Sequence, residues 1–414
     1  MIKYGLIRRD KLRYKLSKNA REIKLGEVLL VGSLCSGGFI ALDKKGQDSY
    51  RKIIDSDVDP DNLVESEEEI LNNLLAIGII DSNLIQNKHS KIMAAYFHVT
   101  DLCNYNCIGC YSQNYKDLSN GDLSTEECFL VLEKLKELGV ETLMISGGEP
   151  LTRKDIFKIL EYAKCKCDFK VILASNGSMI NTDNSKILGK YVDLLKIAID
   201  GYKEDVSYIR PKGSFNSSVN ACKIAKEQGI NVSFVATLHK LNYNMADEYI
   251  DLATKLGVPI TFSVLTCDLN DEIYSKYIMN YDDMKDFISQ NSNSDNMEDF
   301  PSSNLESLGF KEDCGFGKKL ISIASNGDIF PCHMLHFEEL KLGNILRLDK
   351  NDLSRNFSVR NDRCDSCDYK YICGMGCPAR SYLTYRDFNH IDIYCNIYKS
   401  QYKEIEEYLN TLIV

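Results

Sequence analysis

Six apolar strands that alternate with helical segments constrain the fold of this chain more than any other feature. The predicted strands cover residues 93–99, 142–146, 170–174, 193–199, 231–238 and 259–266. Strands joined by helices form parallel sheets, because a helical crossover lets the next strand run in the same direction. The sequence therefore predicts an α/β fold, a partial (β/α)6 TIM-like barrel, with its site at the carboxyl ends of the strands.

The clearest helix of this alternation is predicted over residues 125–138. Ser124 and Glu127 have the spacing of a capping box, and Gly139 is typical of a helix end. The apolar side chains that recur on one face of this helix are Cys128, Val131, Leu132, Leu135 and Leu138.

The amino-terminal residues do not follow this alternation. Strand-like runs at 27–33 and 38–42 precede helix-like segments near 43–54 and 66–77, and Ser66 with Glu69 predicts a capping box for the second helix. Short strands with two helices are typical of a winged-helix module, which we expect over residues 1–88.

Cysteine content and charge narrow the class of protein. The chain has 16 cysteines in 414 residues, and it shows neither a secretion-signal pattern nor 18 consecutive apolar residues, so we expect a cytoplasmic protein without a membrane span. Clustered cysteines in a reducing compartment bind metals more often than they form disulfides. The formal net charge of -10 argues against a broad nucleic-acid surface. We expect the scattered cysteines to be buried apolar side chains, namely Cys35, Cys128, Cys165, Cys167, Cys222 and Cys267.

Three cysteines, Cys103, Cys107 and Cys110, follow the first predicted strand. A [4Fe–4S] cubane needs one ligand for each iron, so three thiolates leave one iron open. An open iron can bind the amino and carboxylate groups of a methionine moiety, and electron transfer into its sulfonium yields a 5′-deoxyadenosyl radical. The alternative is a zinc site with His98 as fourth ligand, because zinc prefers four nitrogen or sulfur ligands.

The segment after the second strand favours the iron–sulfur interpretation. Its sequence at 146–150 is Ser-Gly-Gly-Glu-Pro, in which paired glycines expose backbone carbonyls and the glutamate adds a negative charge. Such groups suit an ammonium partner, although GGEP alone is also compatible with a plain turn. One strand after Cys-x3-Cys-x2-Cys, this segment makes residues 90–266 resemble the radical SAM superfamily.

This resemblance implies contacts to S-adenosylmethionine at the first two strands. Gly147, Gly148 and Glu149 would hold the methionyl amine, and Tyr111 would lie near the adenine.

The resemblance implies weaker matches at the next strands. Ser175 and Asn176 lie where the family often has Thr-Asn-Gly near the ribose, and Arg210 matches a position that can meet the carboxylate of S-adenosylmethionine. A solvent-exposed arginine is an equally good interpretation of Arg210. Ala198 stands where relatives commonly carry serine, which puts one polar contact in doubt.

A second cysteine array begins near residue 314. Asn326-Gly327 lies between its first two members and is typical of a tight hairpin, which would fold Cys332 back toward Cys314. The spacing resembles the SPASM extension of radical SAM enzymes. The members of the array are Cys314, Cys332, Cys364, Cys367, Cys373, Cys377 and Cys395.

The SPASM resemblance implies two auxiliary [4Fe–4S] clusters. One would be fully ligated by Cys364, Cys367, Cys373 and Cys395. The other would be held by Cys314, Cys332 and Cys377, with Cys267 as a candidate fourth ligand or with an iron open to substrate. A pair of zinc knuckles is the alternative.

These patterns predict the organisation of the chain. We expect a leader-recognition domain at 1–88, a radical SAM core at 89–270, a connector at 271–313, a SPASM domain at 314–395 and a carboxy-terminal helix at 396–414.

The amino-terminal unit partly resembles the peptide-chaperone fold of pyrroloquinoline quinone biosynthesis. Such a module captures an extended peptide as an added strand at a sheet edge. Residues 1–24 carry nine Lys or Arg against two Asp or Glu, which would suit an acidic leader peptide. A structural cap and a DNA-binding winged helix are the alternatives.

The resemblances imply radical modification of a ribosomally made peptide, with a flavodoxin or ferredoxin type of protein as electron donor. Residues 314–317, Cys-Gly-Phe-Gly, resemble a segment of maturases that join a cysteine sulfur to an α-carbon, so a thioether is the first expectation for the product. The alternatives are formylglycine formation in sulfatases, a non-catalytic electron-transfer protein and a zinc-dependent binding protein. The sequence assigns no catalytic acid or base.

Overall fold

The central sheet contains the six strands that the sequence predicts. The computed structural model describes residues 14–55, 62–80, 92–112, 121–266, 275–291, 308–348 and 362–412. Each of the six strands pairs in parallel with the next one along the chain, as a partial (β/α)6 barrel requires. The strands are β4 (Ala94–His98), β5 (Thr142–Ser146), β6 (Lys170–Ser175), β7 (Leu194–Ile199), β8 (Val232–Leu238) and β9 (Ile260–Val264).

Helices connect these strands and cover the sheet. They are α3 (Thr125–Glu137), α4 (Ile156–Glu161), α5 (Thr182–Tyr191), α6 (Ser214–Glu227) and α7 (Ala246–Leu256). The capping box predicted for α3 is confirmed, because the Ser124 side chain accepts from the Glu127 amide and the Glu127 carboxylate accepts from the Ser124 amide.

The amino-terminal unit has the expected small antiparallel sheet and two helices, a winged-helix-like arrangement. Its strands pair in the order β1-β2-β3. The elements are β1 (Ala20–Leu25), β2 (Val28–Ser33), β3 (Phe39–Leu42), α1 (Lys44–Asp55) and α2 (Glu65–Ala76).

The capping box predicted at Ser66 and Glu69 is wrong. Helix α2 begins at Glu65, with Val64 as its N-cap, and the Glu67 carboxylate accepts from the Val64 amide at 3.3 Å. Three glutamates in the first turn stabilise this earlier start, because negative charge is favourable at the positive end of the helix dipole.

The carboxy-terminal part contains the predicted hairpin. Gly327 has φ +85° in the turn between β10 (Leu320–Ile323) and β11 (Asp328–Phe330), a backbone conformation that favours glycine. Strand β12 (Gly343–Asn344) pairs with β11. The helices of this half are α8 (Tyr281–Asn291), α9 (Lys370–Cys373), α10 (Pro378–Tyr385) and α11 (Cys395–Thr411). Residues 271–274 and 292–307 of the predicted connector lie outside the described residues.

The hairpin also extends the barrel sheet, which the sequence did not predict. Strand β10 pairs in parallel with β4, with Leu320 opposite Ala94 and Ile323 opposite Phe97. Among the described residues the main sheet therefore has nine strands, in the order β12-β11-β10-β4-β5-β6-β7-β8-β9.

One apolar core runs through the three parts of the chain. It joins Leu25 and Leu30 of the small sheet, the barrel strands, and Tyr394 and Tyr402 of the carboxy-terminal part. None of the described helices is both long enough and apolar enough to cross a membrane.

The scattered cysteines follow the burial prediction in part. Cys128, Cys167 and Cys222 are buried as expected, whereas Cys35 and Cys165 are exposed. Cys35 lies in the loop between β2 and β3, and Cys165 lies on the outer side of a π-helical turn at Tyr162–Lys166, so neither side chain reaches the core. Cys267 lies outside the described residues.

Candidate functional site

The first cysteine set lies on the loop that leaves the carboxyl end of β4. Burial raises the pKa of the Cys107 thiol to about 11, and the neighbouring Cys103 and Cys110 raise it further. The Arg210 guanidinium acts in the opposite direction, so Arg210 and the two other cysteines all lie within electrostatic reach of Cys107. Binding to a metal would deprotonate the thiols, because a coordinating thiol loses its proton outright.

The two glycines after β5 allow the cysteine loop to pack directly on this strand end. A Cβ on Gly147, which has φ +139°, would lie 2.3 Å from the Thr100 oxygen, and one on Gly148 would lie 2.2 Å from the Leu102 oxygen. The Gly148 amide donates to the Thr100 oxygen at 2.8 Å, and the Glu149 amide donates to the Leu102 oxygen at 2.8 Å. The glycines are therefore needed where the backbone of β5 meets the loop that carries Cys103.

Glu149 is buried, and its carboxylate links the ends of β5 and β6. It accepts from the Ser175 hydroxyl at 2.9 Å, from the Asn176 amide at 2.7 Å and from the Leu151 amide at 3.1 Å. Burial raises the pKa of Glu149, whereas these hydrogen bonds and Arg210 oppose the rise.

The Asn176 side chain continues this network into the cysteine loop. Its Nδ2 donates to the Asn104 Oδ1 at 2.9 Å, and its Oδ1 accepts from the Ser178 amide at 2.9 Å. The predicted residues Glu149, Ser175 and Asn176 thus hold one another and the cysteine loop in place.

Arg210 belongs to a loop that Asp200 organises. One oxygen of the buried Asp200 carboxylate, Oδ2, accepts from the amides of Tyr208, Ile209 and Arg210 at 2.8 to 2.9 Å. The Ile209 oxygen in turn accepts from the Ile108 amide at 2.8 Å, inside the cysteine loop. The sequence showed Asp200 directly after a strand but did not identify it as a site residue, because its three donors come from a loop eight to ten residues further on.

Tyr111 lies between the first cysteine set and a group of histidines. Its hydroxyl is 3.2 Å from the Ser146 Oγ, and burial raises its pKa to about 12. The His333 ring meets it edge-on, with centroids 5.2 Å apart, and His98 contacts both Tyr111 and the His336 ring. Burial lowers the pKa of His98 to about 3 and that of His333 to about 4, so these rings are neutral.

Four cysteines of the second array line one pocket: Cys364, Cys367, Cys373 and Cys395. Burial raises the pKa of Cys373 to about 11 and also raises the pKa of Cys364 and Cys395, and the neighbouring Cys395 raises the pKa of both other thiols. Four thiols around one pocket are the ligand set of a complete [4Fe–4S] cluster, so the residues present fit this group.

The other three cysteines of the array also come together. Cys332 and Cys377 pack against the same apolar cluster, which contains Phe316, and the Gly317 amide donates to the Pro331 oxygen at 2.9 Å. Burial, followed by the charge of Cys377, raises the pKa of Cys314 to about 12. The hairpin therefore brings Pro331, which precedes Cys332, back to Gly317, three residues after Cys314, as predicted. Within the described residues, no three His, Cys, Asp or Glu side chains already converge on a single metal position.

Residues 97–253 match the family model described as the radical SAM superfamily. The chain is 24% identical over 339 residues to an AdoMet-dependent heme synthase from Methanosarcina barkeri, covering 72% of this chain and 95% of the relative. It is 26% identical over 318 residues to the mycofactocin maturase MftC of Mycobacterium tuberculosis, covering 70% of this chain and 78% of the relative.

The fold is similar to that of SuiB from Streptococcus suis bound to S-adenosylmethionine. The TM-score is 0.58 at 18% identity, over 91% of this chain and 98% of the other. SuiB has also been solved with the precursor peptide SuiA, with a TM-score of 0.53 at 18% identity over 88% of this chain and 96% of the other.

The barrel and residues 97–253 match those of radical SAM enzymes, whose cofactors are S-adenosylmethionine and a [4Fe–4S] cluster. The carboxy-terminal cysteine-rich region of this chain has the architecture of SPASM-type structures.

Proposed function

We propose that this enzyme modifies a ribosomally made peptide, with a thioether from a cysteine sulfur as the product. The observation that supports a peptide substrate most directly is the amino-terminal sheet. Among the described residues, β3 pairs with β2 on one side only, so its other edge offers backbone donors and acceptors to an added strand.

The position of this sheet relative to the cysteine-rich region supports the same proposal. The Phe310 amide donates to the Gly37 oxygen at 2.9 Å, and the Phe310 ring stacks on Phe39 of β3 with centroids 5.9 Å apart. Phe310 lies four residues before Cys314. A peptide held at β3 would therefore be fixed beside the chain that carries the proposed auxiliary ligands.

The residues at the barrel end have separate roles in this proposal. Cys103, Cys107 and Cys110 would bind the first cluster, and its open iron with S-adenosylmethionine supplies a 5′-deoxyadenosyl radical that removes a hydrogen atom. Gly147 and Gly148 would keep the cysteine loop against β5, close to the methionyl amine.

The remaining contacts would orient S-adenosylmethionine. Arg210 would face its carboxylate, because the positive charge already acts on Cys107, Tyr111 and Glu149. Ser175 and Asn176 would lie near the ribose. Both are also bound to Glu149, so their position depends on this carboxylate.

The cysteine-rich region would hold the two auxiliary clusters. Cys364, Cys367, Cys373 and Cys395 would complete one, and Cys314, Cys332 and Cys377 would leave an iron of the other open to a substrate thiolate. Cys314, Cys332 and Cys377 would thus place a cluster that can bind the substrate thiolate, the thiol proton leaving to solvent, and that can accept the one electron left over after the 5′-deoxyadenosyl radical has taken a hydrogen atom.

Anaerobic reaction with a short cysteine-containing peptide encoded beside the gene tests this function. We expect 5′-deoxyadenosine by liquid chromatography and a peptide product 2 Da lighter by mass spectrometry, because a thioether forms with loss of two hydrogen atoms. A chain without residues 1–88 should still release 5′-deoxyadenosine but process the peptide poorly. Equal processing by the truncated enzyme would contradict leader binding and favour formylglycine formation.

The similarity to a heme synthase over 95% of that relative favours a tetrapyrrole as the second candidate substrate. The same reaction with an iron porphyrin in place of the peptide separates the two candidates, because each substrate has its own mass change.

A further inference from the structure

A buried ion pair lies between the two auxiliary cysteine groups. The side chains of Arg380 and Asp392 are 4% and 1% exposed. The Arg380 Nε donates to both carboxylate oxygens of Asp392 at 3.0 and 3.1 Å, and Nη2 donates to Oδ2 at 2.9 Å. A charge pair this deeply buried is costly to desolvate, and an apolar pair of the same volume is often as stable. Its presence therefore needs a reason other than stability.

Asp392 contacts a cysteine of each auxiliary group. Its Oδ2 accepts from the Cys377 amide at 2.7 Å, and its backbone oxygen accepts from the Cys395 amide at 2.9 Å. Gly376 makes the first contact possible, because a Cβ there would lie 2.7 Å from the Asp392 Cβ. Asp392 thus fixes the backbone position of one proposed ligand in each group, Cys377 in one and Cys395 in the other.

Two tyrosines complete the surroundings of the Arg380–Asp392 pair. The Tyr394 amide donates to Asp392 Oδ1 at 3.0 Å, the Tyr398 hydroxyl accepts from Arg380 Nη2, and the Tyr394 ring lies 5.4 Å from the guanidinium carbon. Asp392 also lines the pocket of Cys364, Cys367, Cys373 and Cys395. The carboxylate therefore lies beside both cysteine groups, and the guanidinium is its counter-charge.

We infer that Arg380 and Asp392 are positioning residues that couple the two auxiliary clusters, fixing Cys377 and Cys395 together and setting the reduction potentials of both clusters. This inference rests on the proposed function, which supplies the clusters. Hydrogen bonds and charge around a cluster are among the factors that set its potential.

The direction of each change follows from charge. Reduction adds a negative charge to a cluster, so a nearby carboxylate lowers its potential and a nearby guanidinium raises it. Asp392→Asn keeps an oxygen for the Cys377 amide but leaves Arg380 without its counter-charge. Both auxiliary potentials should then rise. In the double variant Arg380→Met with Asp392→Asn both charges are gone, and the potentials should return toward those of the wild type.

Potentiometric titration of the anaerobically reconstituted full-length enzyme, followed by electron paramagnetic resonance, tests the inference. Iron content is measured in parallel. Asp193→Asn is the matched control, because Asp193 also pairs with a cation, Lys164, at 2.7 Å and accepts from a backbone amide, that of Val171, at 2.7 Å. This pair lies beside the barrel strands and carries no proposed cluster ligand.

The expected result is a rise of both auxiliary potentials in Asp392→Asn, partial recovery in the double variant, and an unchanged potential for the cluster on the Cys103 loop. Unchanged potentials at full iron content would overturn the inference, as would a rise at one auxiliary cluster alone. If Asp392→Asn does not fold, Arg380→Met alone serves as the second variant. It leaves the Asp392 carboxylate without its counter-charge, so both auxiliary potentials should fall relative to Asp193→Asn, and unchanged potentials at full iron content would overturn the coupling. A wild-type enzyme with only about 4 iron atoms, instead of about 12 for three cubanes, would refute the auxiliary clusters themselves.

Discussion

The Phe310 ring lies directly over Gly32 of β2, so that a Cβ on this glycine would be 2.2 Å from the ring. Gly32 belongs to the amino-terminal sheet, and Phe310 belongs to the segment that leads to Cys314. The contact therefore ties the proposed peptide-binding unit to the cysteine-rich region through buried apolar surface, in addition to the bond between the Phe310 amide and the Gly37 oxygen.

Gly32→Ala should lower the free energy of unfolding by about 1–3 kcal/mol, because an added methyl group in a packed contact forces its neighbour to move. Phe310→Leu in the same chain should recover part of this loss, since the smaller side chain leaves room for the Cβ. Urea titration measures both. Gly46→Ala in α1 serves as the control, because Gly46 lies in the same unit at a distance from Phe310. Additive effects of the two substitutions would contradict the contact.

Cys110→Ala should abolish the release of 5′-deoxyadenosine and reduce the iron content by about one third, since one of three proposed cubanes loses a ligand. Iron analysis and liquid chromatography measure the two effects. Cys222→Ala is the control, because Cys222 is buried in the core and belongs to neither cysteine array. Release of 5′-deoxyadenosine at the normal rate would rule out Cys110 as a ligand.

Asp200→Asn should weaken the binding of S-adenosylmethionine by about 10-fold or more, because hydrogen bonds to a charged acceptor contribute about 1.5–3 kcal/mol each. The variant keeps an oxygen in place but loses the negative charge that gathers the three amides of the Arg210 loop. Isothermal titration calorimetry on the reconstituted enzyme measures the dissociation constant. The exposed Asp183 in the first turn of α5 provides the control substitution, Asp183→Asn. An unchanged dissociation constant for S-adenosylmethionine would show that Asp200 does not support the cofactor site.

The stability of the enzyme should fall as the pH drops below 6.5. Burial lowers the pKa of His98 to about 3 and that of His333 to about 4, so the unfolded chain binds protons at a pH where the folded chain does not. Well below 6.5, each such histidine costs about 1.4 kcal/mol per pH unit. His98→Gln should therefore flatten the pH dependence of the unfolding free energy between pH 5 and 7, whereas His390→Gln at the partly exposed surface should not. If the unfolding free energy of wild type and of His98→Gln changes equally with pH, protonation of His98 does not contribute to the pH dependence.

The sequence predicted the barrel well because its six strands are apolar runs with one face fully buried and the other mostly half-buried, and clear helix signals bound them. Each observed strand lies within the predicted range or differs from it by one residue at an end. Ser124 and Glu127 formed the expected cap because they lie next to the apolar face that they serve. Ser66 and Glu69 had the same spacing but lie inside a helix whose glutamates stabilise an earlier start.

The site was predicted only where a motif lies on one short stretch of chain. The cysteine spacing and the GGEP segment are of this kind, and the structure brings both to the same end of the barrel. Asp200, Arg380 and Asp392 were missed because their partners lie on other segments. The pairing of β10 with β4 was missed because a strand of four residues gives no information about its neighbour.

The register of β10 against β4 restricts how this enzyme can be rebuilt from parts. The strand that opens the cysteine-rich half forms a ladder with the strand that leads into the Cys103 loop, with Ile321 opposite Ala95. A chimaera that exchanges the carboxy-terminal half with that of a relative must therefore bring a strand whose side chains fit the edge of β4. A register shift of one residue would turn the buried side chains of β10 outward, and the cysteine-rich half would then no longer pack correctly against the barrel.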